Sequence, residues 1–376
     1  MTLGLFFTRG VSLKLWVDAG LYDREKLIYE EHLKQGNFEK VYWFTYDKAD
    51  KQVAKNLKNE GRLHHDIEIF EMPPIFNVPK IGSWIYSLVL PFLYISKLKE
   101  CDVLKTNQMD GSWSAVIAKW LLKKPLILRT GWTVTQFWRK ENKSNFKIKL
   151  YELFERFGYS NANIYIVSSL HDKLYIESKY PVKNTVVIPN FINTSIFKDM
   201  KLKRYNNRLL FVGRLNSQKN LFNLIEAISK TKYELDIYGQ GELKDELHNF
   251  ALKLNVKVNF KGIVSNNDLV AIYNSYNYYI LPSFFEGMPK TLLEAMACGC
   301  VCIGTNVSGI NEVIYHNQNG ILINGVDVDA LFKTLKYLDN YDRALLSQRG
   351  MESIQKNYSF YSIVNQEKEL INGLFE

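Results

Sequence analysis

Two glutamates and two cations in the second half of this chain are the side chains best suited to chemistry. Glu286 stands in the turn Glu286-Gly287-Met288-Pro289. Before it an apolar run, Tyr278-Tyr-Ile-Leu-Pro282, reads as a buried strand; after it Thr291–Ala297 has strong helix formers with apolar residues on one face. A helix that starts there leaves backbone N–H groups unbonded, and such groups attract anions. Pro289 has no N–H, so Gly287, Met288, Lys290 and Thr291 are the available donors. Glu286 and Glu294 are too far apart to pair on one helix face; one belongs to the turn, the other to the first turns of the helix. The arrangement suits a ligand with a phosphate at the helix start and hydroxyl-bearing groups on either side. Gly213–Lys219 also follows an apolar run and opens a helix, which sets Arg214 and Lys219 at a strand's carboxyl end. Two cations there favour a diphosphate, and an ordinary basic loop is the alternative. Gly239-Gln-Gly241 and Gly262-Ile263-Val264 are strand-end turns on which a flat base could rest, or tight turns and nothing more.

Strands and helices must alternate to place these loops. In the first half the strands are Leu3–Thr8, Lys40–Tyr46, Asp66–Phe70, Asp102–Thr106, Pro125–Arg129 and Asn163–Ser168, with helices over 23–34 and 48–59. After a polar, basic stretch, Lys198–Asn207, the alternation restarts: Arg208–Gly213, a helix over 219–230, Glu234–Gly239, a helix over 242–254, Val256–Gly262, a helix over 267–276, Val301–Gly304 and Gly320–Ile323. Apolar strands separated by helices predict parallel sheets covered on both faces. The fold class is therefore α/β, with two doubly wound, Rossmann-like domains facing across a deep cleft at the carboxyl ends of both sheets. The expected domains are 1–195 and 196–359, with a helix over 360–376 packing back on the first.

Composition sets outer limits. With 376 residues, 47% of them hydrophobic and 14% aromatic, the chain can fill two cores. Residues 1–190 hold 28 Lys and Arg against 20 Asp and Glu, and the rest is nearly balanced. A basic first half suggests an anionic partner, or an incidental lysine surplus. Cys298, Cys300 and Cys302 alternate where a strand is expected, so they cannot converge on one metal; with Cys101 they read as buried thiols of a reducing compartment. The opening residues include Arg9 and Lys14 and no long apolar core, so no signal peptide is expected. The most apolar segment, Ile81–Ser96, contains Pro91 and is too short to span a bilayer. The expected location is cytoplasmic, at or near the inner face of the cytoplasmic membrane.

In order and spacing, Val212-Gly-Arg-Leu-x-x-x-Lys-Asn220, Gly239-x-Gly241, Phe260-x-Gly262 and Leu281-Pro-Ser-x-x-Glu-Gly-x-Pro-x-x-Leu-Leu-Glu-Ala-Met-Ala-x-Gly299 resemble the nucleotide-sugar half of retaining glycosyltransferases of family four, with the GT-B architecture. Ser308–Glu312 and Asn319-Gly320 extend the resemblance, which covers 208–323. Val187-Ile-Pro-Asn190 resembles the family's linker, with Phe191 and Asn193 where Gly and Asp are usual. The resemblance implies that Arg214 and Lys219 hold the donor diphosphate, Glu286 the sugar hydroxyls and Glu294 the ribose, with Gly241 and Ile263 near the base. Lys290 either adds a third cation or points to solvent, the latter favoured. Transfer with retention needs no protein nucleophile, and Asp327-Val-Asp329 reads as a helix start, so no cofactor and no obligatory metal are expected.

The first half resembles the family more loosely. Gly10 and Arg9, in the loop after the first strand, stand where the family faces the donor phosphates. The histidine that many relatives use for the sugar is missing, leaving Asn107, Asp110, Arg129 and Thr130 as acceptor or sugar contacts. From Trp132 to Tyr159 aromatics interleave with Lys and Arg, which predicts contact with an anionic membrane or a solvated helix with an aromatic core face. No nucleic-acid module is visible. The reading is a glycosyltransferase, hexosyl-transferring and retaining, that takes a nucleoside-diphosphate sugar to a glycan or lipid-linked acceptor for bacterial capsule, lipopolysaccharide or exopolysaccharide. The alternatives are an inactive sugar-nucleotide-binding subunit of an assembly complex and a same-fold epimerase or phosphorylase.

Overall fold

The structure, a computed structural model, describes residues 1–131, 133–140, 144–182 and 184–375. The chain forms two units, Met1–Ile188 with Val364–Glu376, and Pro189–Ile363.

The first unit is a parallel sheet of β1 (Thr2–Phe6), β2 (Lys40–Phe44), β3 (Ile67–Phe70), β4 (Val103–Thr106), β5 (Leu126–Arg129), β6 (Ile164–Val167) and β7 (Thr185–Val187). Its order is β3-β2-β1-β4-β5-β6-β7. The second holds β8 (Tyr205–Val212), β9 (Glu234–Tyr238), β10 (Val258–Gly262), β11 (Tyr276–Leu281), β12 (Val301–Thr305) and β13 (Ile321–Ile323), in the order β10-β9-β8-β11-β12-β13. Every strand pair is parallel. Helices cover both faces, which is why central strands such as β11 and β12 are buried at every position and read as mainly apolar runs, broken by Asn277 in β11 and by Thr305 at the end of β12. In each sheet the winding reverses once, between β1 and β4 and between β8 and β11. Loops diverge at such switch points and leave room for a ligand.

Local differences from the sequence reading have local causes. The helix expected over 23–34 is two pieces, Tyr22–Glu25 and Leu27–Lys34, and a further helix, Leu13–Asp18, starts where the Ser12 side chain accepts from the Leu15 N–H at 3.0 Å. The helix expected from 219 begins at Leu221. A single 3-10 turn, Ser217–Lys219, precedes it, and Asn220 adopts φ 54° between them. Asp327 caps the helix Val328–Lys336, its side chain accepting from the Ala330 N–H at 2.9 Å. All four cysteines are buried free thiols.

The helix Phe360–Asn372 brings Glu367 into the core of the first unit. There its carboxylate pairs with Lys105 on β4 and lies 3.8 Å from His32 Nε2. All three side chains are buried, and burial pushes the Lys105 ammonium well below its ordinary pKa.

Candidate functional site

At the switch point of the second sheet, β8 delivers Arg214 and Lys219, and β11 delivers Glu286. Lys219 Nζ lies 2.5 Å from Glu286 Oε1, and the Ser283 hydroxyl donates to the same oxygen at 2.5 Å. Gln218 Nε2 donates to the Phe285 carbonyl at 2.8 Å and reaches Glu286 Oε2 at 3.4 Å. Glu286 is only 9% exposed, so this ring of donors is what lets a carboxylate sit there. Thr305, at the end of β12, donates to the Ser283 carbonyl at 2.6 Å and fixes the turn from behind. Arg214 is exposed, with no partner among the described residues. The cation nearest the carboxylate is thus committed to it, and the outer one stands free.

Glycines make this crowding possible. A Cβ on Gly309 would sit 1.8 Å from the Gly287 carbonyl oxygen, at φ 80°. One on Gly241 would sit 2.2 Å from the Leu215 carbonyl oxygen. Leu215 also donates its N–H to the Gln240 carbonyl at 2.9 Å, which zips the loop after β8 to the loop after β9. Beyond Glu286, the N–H groups of Gly287, Met288 and Thr291 have no partner among the described residues. They precede or open the helix Lys290–Ala297, so the turn after Glu286 carries a row of donors. Asn190 Nδ2 holds the Met288 carbonyl at 3.2 Å.

Glu294 is half-buried on that helix and accepts from the Tyr273 hydroxyl at 3.0 Å; burial and this carboxylate push the Tyr273 phenol well up. Ile263, after β10, is 70% exposed and offers an apolar ledge. Lys290, given from sequence as a third cation or a solvent-facing side chain, is half-buried, with Nζ 5.9 Å from the centre of the Phe191 ring. Phe191 supplies that ring where glycine is usual in the resembling family, and itself lies against Phe360.

The first sheet has a counterpart at its own switch point. Arg9, after β1, donates through Nε and Nη2 to the two oxygens of Asp110, after β4, at 3.0 and 2.9 Å. Its guanidinium lies 3.8 Å from the centre of the Trp84 ring, which stacks on Trp113. Burial raises the Asp110 carboxyl even against the pull of Arg9. Gly10 adopts φ 76° in the same loop. Asn107 accepts from the Tyr29 hydroxyl at 3.2 Å, and Thr130 is buried, its hydroxyl 3.5 Å from Gln108 Oε1. Arg129 ends β5, and burial lowers its pKa. Arg9 and Asp110, given separate roles from sequence, are therefore one ion pair.

In the basic aromatic stretch, Trp132 and Lys143 and the side chains of Phe137 and Lys140 lie outside the described residues. Phe154 packs on Trp113, whereas Phe146 is 76% exposed. Sequence reasoning missed Ser283 and Gln218, whose signal was their short distance in sequence from Glu286 and Lys219, and Trp84, which had none. Among the described residues, His64, His65 and Asp66 form the cluster that could offer three ligand atoms to one ion; it lies in the turn before β3 and includes none of the expected site residues. No helix among the described residues is long and apolar enough to cross a membrane.

Comparison with known proteins follows the same division. Residues 193–348 match the family described as glycosyl transferases group 1. A glycosyltransferase of Haemophilus influenzae, described as uncharacterized, is 29% identical over 207 residues, 53% of this chain and 58% of that protein, so the match spans less than two thirds of its length. An Escherichia coli protein named UDP-Gal:alpha-D-GlcNAc-diphosphoundecaprenol alpha-1,3-galactosyltransferase is 27% identical over 337 residues, 82% of this chain and 84% of that one. Among solved structures, Anabaena HepE in complex with UDP matches with a TM-score of 0.75 at 16% identity, over 99% of this chain and 100% of that one; identity at that level speaks for the fold alone.

Proposed function

We propose that this chain, a glycosyltransferase whose residues 193–348 belong to the group 1 family, moves a hexose from a nucleoside-diphosphate donor to a lipid-linked or glycan acceptor with retention at the anomeric carbon. Its two parallel Rossmann-like sheets are those of the GT-B fold. The observation that carries the reading is the Glu286 turn: a carboxylate held by Lys219 and Ser283, a free Arg214 on the adjoining loop, and unpartnered N–H groups at Gly287, Met288 and Thr291.

Those groups suit a diphosphate bound to a sugar. Arg214 offers a planar fork for two phosphate oxygens, and the N–H row adds dipoles to the same anion. As the sugar–oxygen bond breaks, negative charge grows on the diphosphate; fixed cations and N–H groups that are already oriented stabilise it without reorganising. Glu286, relieved of Lys219 by the incoming phosphate, accepts from sugar hydroxyls, and Glu294 is positioned for the ribose. The acceptor oxygen attacks on the face the diphosphate leaves, and a diphosphate oxygen takes the proton. No side chain serves as nucleophile and no metal is required. A diphospholipid acceptor is in the name of the E. coli relative, which supports placing this chain in bacterial surface polysaccharide synthesis at the cytoplasmic face of the membrane.

A thermal-shift panel of nucleotide sugars tests the donor, because a ligand that binds only the folded chain raises its melting temperature with concentration. One or a few donors should stabilise the wild type and not Lys219→Ala. Transfer to acceptor with the anomeric configuration inverted would overturn the mechanism.

A further inference from the structure

We propose that the first unit carries a docking surface for an anionic lipid bilayer, built on the helix Gly82–Leu93 and extended by the helix Asn145–Asn161.

The helix Gly82–Leu93 has two apolar faces and no charged residue. One face, with Tyr86, Leu90 and Pro91, is buried. On the other, Ile81, Ile85, Leu88, Val89 and Phe92 recur at helical spacing and are exposed, Ile81, Leu88 and Phe92 each by more than half. A helix lying on a folded core normally turns a polar face to water; this one turns a continuous aliphatic and aromatic stripe. Twelve residues cover about 18 Å, short of the roughly 30 Å hydrocarbon core, so the helix is suited to lie in the plane of an interface and not to cross it.

Charge chooses the partner. The helix Asn145–Asn161 sits beside this one, with the Trp84 and Phe154 rings 6.0 Å apart. It exposes Phe146 and Leu153 together with Lys147, Lys149 and Arg156. Its two glutamates are spent elsewhere. Glu155 is buried and accepts from Thr135 and Tyr180, and Glu152 holds Arg139 and Lys179. Exposed apolar side chains rimmed by cations that no acid on their own helix opposes match the headgroup region of an anionic membrane. Two copies of this face would set like charges against each other.

The same helix carries Trp84, on which Arg9 stacks at the end of β1. The bilayer face and the first unit's switch point thus share one element. This deepens the lipid-linked acceptor proposed above and rests on it for purpose, though the surface is measurable without it.

Flotation of the full chain with vesicles, in the absence of donor and acceptor, tests the surface. The wild type should float with vesicles containing phosphatidylglycerol and stay behind with phosphatidylcholine alone. Leu88→Ser with Phe92→Ser should lower the bound fraction roughly tenfold or more with an unchanged melting curve. Lys147→Glu with Lys149→Glu should weaken binding and flatten its salt dependence. Absence of flotation on anionic vesicles, or equal flotation of the Leu88/Phe92 variant, overturns the proposal. So does a dimer in light scattering that the Leu88/Phe92 variant abolishes while vesicles capture nothing. A wild type that floats yet transfers no sugar would overturn the function proposed above and still support the surface.

Discussion

Arg9 grips Asp110 with two parallel hydrogen bonds across the switch point of the first sheet, the place that Lys219 and Glu286 occupy in the second. In both sheets the cation follows the first strand and the carboxylate follows the fourth in winding order. The doubly wound topology explains the recurrence, since these two strands are neighbours whose following helices depart to opposite faces, leaving their loops side by side. The pairs differ in what surrounds them. Arg9 has both carboxylate oxygens and an indole face, and is fully engaged; Lys219 shares Glu286 with a serine and an amide, next to a free arginine.

Breaking the second pair from either side should disable transfer without unfolding the chain. Lys219→Ala is expected to lower kcat by about 10²–10³-fold, the scale of removing one preorganised donor to a developing anion. Glu286→Gln should lower kcat/KM with a smaller effect on binding of the free nucleoside diphosphate, measured by calorimetry. Wild-type turnover in purified Lys219→Ala would remove the diphosphate assignment.

Gly309 is expected to tolerate no side chain. Alanine there would drive its Cβ into the Gly287 carbonyl at a φ that strains L-residues, so the Glu286 turn must shift. Gly309→Ala should weaken nucleotide binding by an order of magnitude or more and cost about 1–3 kcal/mol of stability. An alanine variant with unchanged nucleotide affinity would show that the close approach is not needed.

Glu155 supplies a pH signature. Burial holds its carboxyl above the ordinary glutamate range, against hydrogen bonds from Tyr180 and Thr135. A raised folded pKa means that the folded state keeps its proton longer than the unfolded one. Its contribution to stability is therefore present below the unfolded value and is lost as pH rises through the folded value. Relative to wild type, Glu155→Gln should gain stability as pH climbs from about 4, the ordinary glutamate range, through the raised pKa of the folded carboxyl, and hold a constant difference above it. Parallel denaturation profiles across that range would contradict it.

Lys105 and Glu367 should behave as a unit. Removing only Glu367 strands a buried ammonium, and Glu367→Leu is expected to cost about 3–5 kcal/mol. Lys105→Met together with Glu367→Leu should recover most of that loss, because a matched apolar pair needs no solvation. Additive losses in urea denaturation would show that the two do not interact.

Much of the second unit was legible because its strands are buried on both faces and its turns follow them directly. The run Tyr278–Pro282 and the cluster Glu286–Pro289 announce a strand, a turn and a helix start with little ambiguity. Less legible was anything set by partners distant in sequence. Nothing around Lys290 says that its ammonium lies over Phe191, 99 positions earlier. Arg9 and Asp110 were both singled out, yet their pairing depends on β1 lying beside β4, which local pattern does not encode. The stripe on Gly82–Leu93 read as simply apolar, since a residue's type does not state which face its helix buries.

The Glu367 carboxylate also sets an order of events during synthesis. The first unit draws its partner for Lys105 from position 367, beyond the whole second unit in sequence, so its sheet can assemble as the ribosome proceeds while its interior stays one carboxylate short. Until position 367 has left the ribosome, that half waits in an incomplete state, and a stall or truncation before that position damages a unit made well before it.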